Sequence, residues 1–209
     1  MNKKILLVTI FISMLFSIST SRISTTLDPP SDFLISLFDA NNQLINDFNF
    51  NTKEGFNIAY EHMITKGGVI DGFDFYLFGG GEFMVGRRSD VNVSLHSLFL
   101  KPMIGFSDRF RLSTSLGLAI LNSDQKDFIL DKGTLLTIGF EYGITNNLSL
   151  SINKSYYSLF EKTYSSSNNV PSTPFLGTDL GGTINLENTI LDMKYEKVGI
   201  SIIYGFKTK

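Results

Sequence analysis

The side chains that could do chemistry in this chain are scattered singly along alternating segments. Arg109, Arg111, Glu141, Asn153, Glu187 and Asp192, with Asp74 and Glu61, each fall opposite an apolar dyad. Charges of both signs held inside a low-dielectric wall must pair or accept hydrogen bonds. The chemistry expected of them is a structural polar network filling an interior; a polar path for a small solute would require an open bore. There are two histidines. His62 shares its face with Phe56, Ile58 and Tyr60, which predicts an interfacial position. His96, read against Val93 and Leu95, is expected to point inward, and its neighbour Ser97 then lies on the opposite face and cannot pair with it. No serine on another strand is marked out as a nucleophile, so no catalytic residue is assigned. Gly79-Gly80-Gly81 lacks the Lys and Ser/Thr of a phosphate loop, and Asp124, Asp127 and Asp131 do not have calcium-loop spacing. No metal site, cofactor motif or basic-aromatic patch for nucleic acid is present in the pattern.

The elements that must carry these residues are strands. Phe110, Leu112, Leu116, Leu118 and Ile120 alternate with Arg111, Ser113, Ser115, Gly117 and Ala119. The same period recurs at Leu136, Ile138, Phe140 and Tyr142, at Leu148, Leu150 and Ile152, and at Val198, Ile200, Ile202 and Tyr204. A soluble β-protein dresses its outer face with Lys and Glu, whereas the second face here is Ser, Gly, Asn, Thr and Ala. Small polar groups suit a narrow filled lumen, and the apolar face then suits lipid. The fold class expected is all-β: an antiparallel up-and-down transmembrane β-barrel.

The bulk properties agree. Met1-Asn2-Lys3-Lys4 precedes an apolar run from Ile5 to Phe16 and then small residues at Ser17, Ser19 and Ser21, the layout of a secretory signal peptide over residues 1–21, with cleavage expected after Ser19 or Ser21. That run is about a dozen residues, short of the roughly 20 a spanning helix needs. The chain has no cysteine, which excludes a lipid-anchored N-terminal Cys and a disulfide scaffold. A net charge of −2 gives no electrostatic reason to expect nucleic acid. The 19 Phe and 8 Tyr, without Trp, can furnish interfacial girdles.

Residues 22–55 read differently from the rest. Pro29-Pro30, then Ser31 and Asp32 as caps, precede Phe33, Leu34, Leu37, Phe38, Leu44, Ile45 and Phe48, which fits a short amphipathic helix; an extra strand from Gln43 to Phe50 is the other reading. The barrel domain is expected over 56–209, with strands at Phe56–Ile64, Val69–Val85, Val91–Phe106, Arg109–Leu121, Gly133–Gly143, Leu148–Phe160, Thr183–Tyr195 and Val198–Phe206. Lys66-Gly67-Gly68 and Glu196-Lys197 read as turns, and Pro102 with the slip near Ser97 to Leu100 reads as a bulge. This count of eight sends the long connection from Glu161 to Gly182 to the side that carries short turns in bacterial barrels; a count of ten removes the conflict.

Arg111-Leu112-Ser113-Thr114-Ser115-Leu116-Gly117-Leu118 and Ile138-Gly139-Phe140-Glu141-Tyr142-Gly143-Ile144-Thr145-Asn146-Asn147-Leu148-Ser149-Leu150 make strand, tight turn, strand patterns. In these the region Phe99 to Phe160 resembles the small bacterial outer-membrane β-barrel superfamily of OmpA-type, OmpW-type and opacity-type barrels. The resemblance implies the outer membrane of a Gram-negative cell envelope, with lipid and lipopolysaccharide as surroundings. Ile200-Ser201-Ile202-Ile203-Tyr204-Gly205-Phe206 looks like the final strand that the barrel-assembly machinery recognises, although Lys207-Thr208-Lys209 follow it. A fainter resemblance is to the outer-membrane lipid A deacylases; at the position of their His-x-Ser-Asn motif this chain reads Tyr156-Tyr157-Ser158-Leu159, keeping the Ser alone. The function expected is structural or surface interaction through loops such as Tyr164 to Pro174, with a lipid A-modifying enzyme or a small porin-like solute channel as alternatives. A soluble lipid-carrier barrel, with its apolar face inward, is a further reading. The sequence does not set an oligomeric state.

Overall fold

In the computed structural model the described residues are 19–70, 73–85, 87–88, 92–123, 132–163 and 190–208. They form eleven strands: β1 (Ser19–Asp28), β2 (Ser31–Phe38), β3 (Leu44–Thr52), β4 (Gly55–Ile70), β5 (Phe73–Met84), β6 (Arg87–Arg88), β7 (Asn92–Gly105), β8 (Phe110–Ser123), β9 (Lys132–Gly143), β10 (Leu148–Thr163) and β11 (Ile190–Thr208). The ladder runs β1-β4-β5-β7-β8-β9-β10-β11 and returns from β11 to β1, closing eight antiparallel strands into a barrel. Closure is what allows the wall to stand in lipid, because no edge of unpaired backbone N–H and C=O groups is left along it.

The dyads set the faces. Leu116, at 58% exposure, and Leu118, Ile138, Ile152, Ile200 and Ile202 project outward, while Ser113, Ser115, Ser151, Ser155 and Ser201 are buried inside. An apolar exterior around a polar interior inverts the soluble arrangement, so the serines expected to meet water in a carrier fold do not. Toward one end the outer wall carries Phe106, Phe110, Tyr142 and Tyr204, the aromatic residues suited to an interface. Small residues on the inner face make room for large neighbours. At Gly139 a Cβ would run into the Asn153 Oδ1 and lie 2.8 Å from the Ser113 Oγ.

Both described ends, Ser19 and Thr208, pair with each other at one rim, together with the short turns Phe106–Arg109 and Ile144–Asn147. We term this the terminal rim. The β2–β3 tip and the connections from β5 to β7, β8 to β9 and β10 to β11 leave from the opposite, loop rim. At the β2–β3 tip, the backbone N–H groups of Gln43 and Asn41, each 2.8 Å away, donate to the Asp39 carboxylate and hold it below the usual carboxylate range. Asn42 there adopts a left-handed φ of 60°, which Asn tolerates.

Several sequence expectations are corrected. Of the two readings of residues 22–55 the extra strand holds and the helix does not, β3 lying close to the expected Gln43 to Phe50, while β1 belongs to the barrel wall, which therefore starts ahead of Phe56. β2 and β3 are the extra strands: a hairpin that continues β1 and β4 beyond the closed wall, pairing Phe33 with Tyr195 and Ile35 with Met193. The helical look has a physical cause. In β1 the even residues Arg22, Ser24, Thr26 and Asp28 face inward, whereas in β2 the odd residues Phe33, Ile35 and Leu37 do. The register against β11 slips by one across Pro29-Pro30, from Leu27↔Ile200 to Phe33↔Tyr195, and the period-2 pattern changes phase there.

The expected strands Thr183–Tyr195 and Val198–Phe206 are, from Ile190 on, the single strand β11, with Glu196-Lys197 in its middle. Lys197 is buried beside carboxylates and Glu196 lies outside with Lys154 at 3.3 Å, so opposite charges on opposite faces imitate a turn. Lys66-Gly67-Gly68 lies within β4, and Val69–Val85 is divided between β4 and β5. No bulge occurs at Pro102: the β7–β8 register is the same at Leu100↔Leu116 and Met103↔Ser113. The apparent slip arises because Phe99 goes inward between the outward Leu98 and Leu100, its ring lying over Gly80 and its Cβ against Gly117. With β1 counted and β11 whole, the eight strands place both ends at the rim of short turns, and the conflict over the long connection disappears.

Replacing Leu116 with Arg puts a charge on the middle of the apolar wall and should cost about 2 to 4 kcal/mol. The check is the urea midpoint of the protein refolded into lipid vesicles; Leu116→Ala should fall well short of that loss.

Candidate functional site: the filled lumen

The inner face of the barrel holds its charges in two tiers. Near the terminal rim, β1, β4, β7, β8 and β9 bring together Arg22, Glu61, Lys101, Arg111 and Glu141. Lys101 Nζ is 2.7 Å from Glu61 Oε1, and Arg22 Nε is 3.4 Å from Glu61 Oε2. Arg22 also bonds to Glu141 through Nη2, and Arg111 Nη1 donates to the other Glu141 oxygen at 2.7 Å. Glu141 is therefore clamped between two guanidinium groups, and the Arg22 guanidinium stacks over the Phe78 ring at 4.8 Å. Guanidinium groups suit such bridging because several donors leave one plane in a fixed fork.

The second tier lies toward the loop rim. Lys197 Nζ is 2.6 Å from Glu82 Oε1 and 3.5 Å from Asp28 Oδ2. Asn57 Nδ2 donates to Asp28 at 2.6 Å and to Glu82 at 3.0 Å, and the Tyr157 hydroxyl lies 3.1 Å from Glu82. Between the tiers runs a neutral layer: Asn153 Nδ2 donates to Ser201 Oγ at 2.8 Å, Ser201 meets Thr26 at 2.7 Å, and Ser155 meets Thr137 at 2.9 Å. The cavity left there is about 30 Å³, the volume of about one water. In the two tiers the cations Arg22, Lys101, Arg111 and Lys197 face the anions Asp28, Glu61, Glu82 and Glu141, so the set balances. Above the second tier Phe33, Met84, Leu95, Leu121, Leu135, Leu159, Met193 and Tyr195 close the lumen with an apolar core.

Of the residues expected to form this network, Arg111 and Glu141 meet, and Asn153 joins the neutral layer. Glu61 anchors the lower tier. Arg109 lies in the exposed β7–β8 turn, its guanidinium 3.3 Å from the Tyr142 hydroxyl. Asp192 alternates with the inward Met193 and Tyr195 and so projects to the opposite face, 2.9 Å from Lys194. Asp74 is half-exposed beside Lys66 and Tyr76. Glu187 lies outside the described residues, as do Asp124, Asp127, Asp131 and the Tyr164 to Pro174 loop.

The sequence reading missed Arg22, Asp28, Asn57, Glu82, Lys101 and Lys197. Glu82 and Lys101 carry a usable signal, a lone charge alternating with outward apolar residues, Phe83 and Val85 beside the first and Leu98, Leu100 and Ile104 beside the second. Arg22 and Asp28 were hidden by the assignment of their segment, and Lys197 by its charged neighbour.

The histidines divide otherwise than expected. His96 pairs with Ile120 and Phe83 on the outer wall, its ring 5.4 Å from that of Phe83, and Ser97 is the inward residue. His62 is outward as expected, and its Nδ1 lies 3.0 Å from Ser21 Oγ, which is also 3.0 Å from the Tyr60 hydroxyl. A Ser–His contact between strands has the reach of an activated nucleophile, but Ser21 is fully covered, and a substrate carbonyl cannot approach its Oγ. Ser158, the one residue retained from the deacylase motif, is exposed on the outer wall. Among the described residues no group of His, Asp and Glu is placed to hold a metal ion.

A closed antiparallel wall, apolar outside and filled inside by paired charges, defines the class of transmembrane β-barrels. Among solved structures the chain is similar to the outer membrane protease OmpT from Escherichia coli, at 7% identity over 90% of this chain and 97% of that one, with a TM-score of 0.47. It is similar also to the outer membrane protein OprG from Pseudomonas aeruginosa, at 10% identity over 92% and 97%, TM-score 0.43. A third is Ail, the attachment invasion locus protein of Yersinia pestis, in complex with the heparin analogue sucrose octasulfate, at 12% identity over 91% and 100%, TM-score 0.37. No protein-family model and no curated protein matches the chain. The class therefore rests on the strand register and the distribution of polar and apolar side chains.

Glu141→Gln would remove the carboxylate that Arg22 and Arg111 share, leaving Arg22 with Glu61 alone. Breaking a buried ion pair from one side costs about 3 to 5 kcal/mol, so this variant should lower the urea midpoint far more than Asn153→Ala, which removes only neutral hydrogen bonds. Equal losses in the two variants would mean that the lower tier is not desolvated.

Proposed function

We propose that this chain is a sealed β-barrel of the outer membrane, with a structural or surface-interaction role exercised from its loop rim. Lipid and lipopolysaccharide surround its wall, and the barrel-assembly machinery inserts it. The observation that carries the reading is the occupied lumen: an apolar core at the loop rim, then two tiers of ion pairs with a neutral layer between them that has room for about one water. An eight-stranded interior is just filled by side chains, so transport has no path and contact with partners falls to the loops. The test is current across a planar bilayer containing the refolded, heat-modifiable protein. Steps above the bare-bilayer background would reject the sealed reading and make the solute-channel alternative the better one; silence at both polarities is expected.

The segment ahead of β1 serves, in this proposal, as a signal peptide. Of the two cleavage positions, the one after Ser19 leaves Ser21 in place, with its contacts to Tyr60 and His62 and its pairing with Phe206. Cleavage after Ser21 would remove them. The intact mass of protein extracted from outer membranes should correspond to a chain that still contains Ser21; a mature chain starting at Arg22 would refute this choice.

A further inference from the structure

Below the lower tier the lumen opens into a vestibule of about 180 Å³ at the terminal rim, room for about six waters. Its apolar walls are Met63, Phe78, Met103 and Ile203, and exposed Asn146 and Asn147 stand at its mouth. Two guanidinium groups and one carboxylate, those of Arg22, Arg111 and Glu141, line it. The tier behind it holds three cations, Arg22, Lys101 and Arg111, against two anions, Glu61 and Glu141, so the positive excess of the lumen is at this end. The compensating excess of negative charge sits in the upper tier, beyond the neutral layer.

One donor gives this surplus a direction. Arg22 is buried, its Nε and Nη2 engaged by Glu61 and Glu141, yet among the described residues Nη1 meets only the Met103 thioether, at 3.6 Å. A thioether is a weak acceptor, and a buried cationic donor without an oxygen partner is costly. Arg111, partly exposed, spends Nη1 on Glu141 and Nη2 on the Asp108 carbonyl at 3.3 Å. Both guanidinium groups thus border one cavity, and the deeper one has a donor in search of an acceptor.

We propose that this vestibule is a binding site for a small oxyanion, a carboxylate or a phosphate group, held between Arg22 and Arg111. The ligand's oxygen accepts from Arg22 Nη1, its second oxygen faces Arg111, and Asn147 and Ser149 border the mouth. The charge of the lower tier is then balanced, which water alone cannot do. The cavity borders the short turn that holds Asn146 and Asn147, so the anion docks from the terminal rim. The site is independent of any role of the loops.

The test uses the full chain refolded in detergent, with sodium acetate and sodium phosphate as probes against sodium chloride at equal ionic strength. The readouts are the unfolding midpoint of the unboiled gel band and the NMR positions of the arginine Nε–H groups. A saturable rise in midpoint, with shifts at Arg22 and Arg111 and none at Arg109, is expected for at least one oxyanion. Acetate as the tighter ligand would identify a carboxylate end group, and phosphate a phosphoryl group. Arg111→Met should weaken binding about tenfold or more, the loss of one charge-assisted contact. Met103→Gln keeps every charge but offers Arg22 an amide oxygen, and should also weaken it, while Arg109→Gln should not. Equal responses to oxyanions and chloride, or to wild type and Arg111→Met, would overturn the site.

Discussion

Everything in this molecule depends on internal satisfaction of polar groups. Lipid outside the wall offers no hydrogen bonds, and a lumen this narrow admits little water. The backbone meets the demand by closing β11 onto β1. The side chains meet it by balancing four cations against four anions across strands that are distant in sequence, Arg22 with Glu141 and Asp28 with Lys197 among them. The two solutions reinforce each other. The ion pairs can form only when the wall is closed, and once formed they bind its first strand to its last ones, so the seam between β1 and β11 is bridged by side chains as well as by the ladder.

The same demand explains why the lumen is layered. Charges occupy the levels where partners can converge from several strands, small hydroxyl and amide groups occupy the level between, and rings and thioethers close the loop rim. Phe99 shows how tightly the levels are matched. Its ring lies over Gly80 and its Cα and Cβ against Gly117, and a side chain at either glycine would collide with Phe99 or with nearby backbone. A filled interior of this kind has packing rather than water as its medium, and its ionised groups are held by one another.

The period-2 signal made the central strands legible, because β8, β9 and β10 as far as Leu159 keep one phase and their lipid face carries runs of Leu, Ile and Phe such as Leu116, Leu118 and Ile120 or Leu136, Ile138 and Phe140. Arg111 and Glu141 were readable for the same reason. The first and last strands were not, and the causes are specific. In β1 the lipid face includes Thr25, and its start merges with an apolar leader. In β11, Glu196 and Lys197 put opposite charges on opposite faces, which resembles a turn until one knows that the inner face is where carboxylates wait. Leu95, an apolar residue on the inner face, makes His96 look inward, although the even residues Leu98 and Leu100 set the outward phase. Pairing across the barrel, such as Lys101 with Glu61, leaves no local trace at all.

The phase change at Pro29-Pro30, opposite Lys53-Glu54, has a bearing on how this wall could vary. Beyond it the hairpin presents Phe33, Ile35 and Leu37 to the interior, an assignment that depends only on whether the number of residues in the break is odd or even. Lengthening either arm by two residues preserves which face looks inward; lengthening one arm by one exchanges the faces and turns the rings toward the surroundings. The two prolines and their charged counterpart therefore act as a parity switch, and the hairpin that rises beyond the closed wall is free to grow or shrink only in even steps.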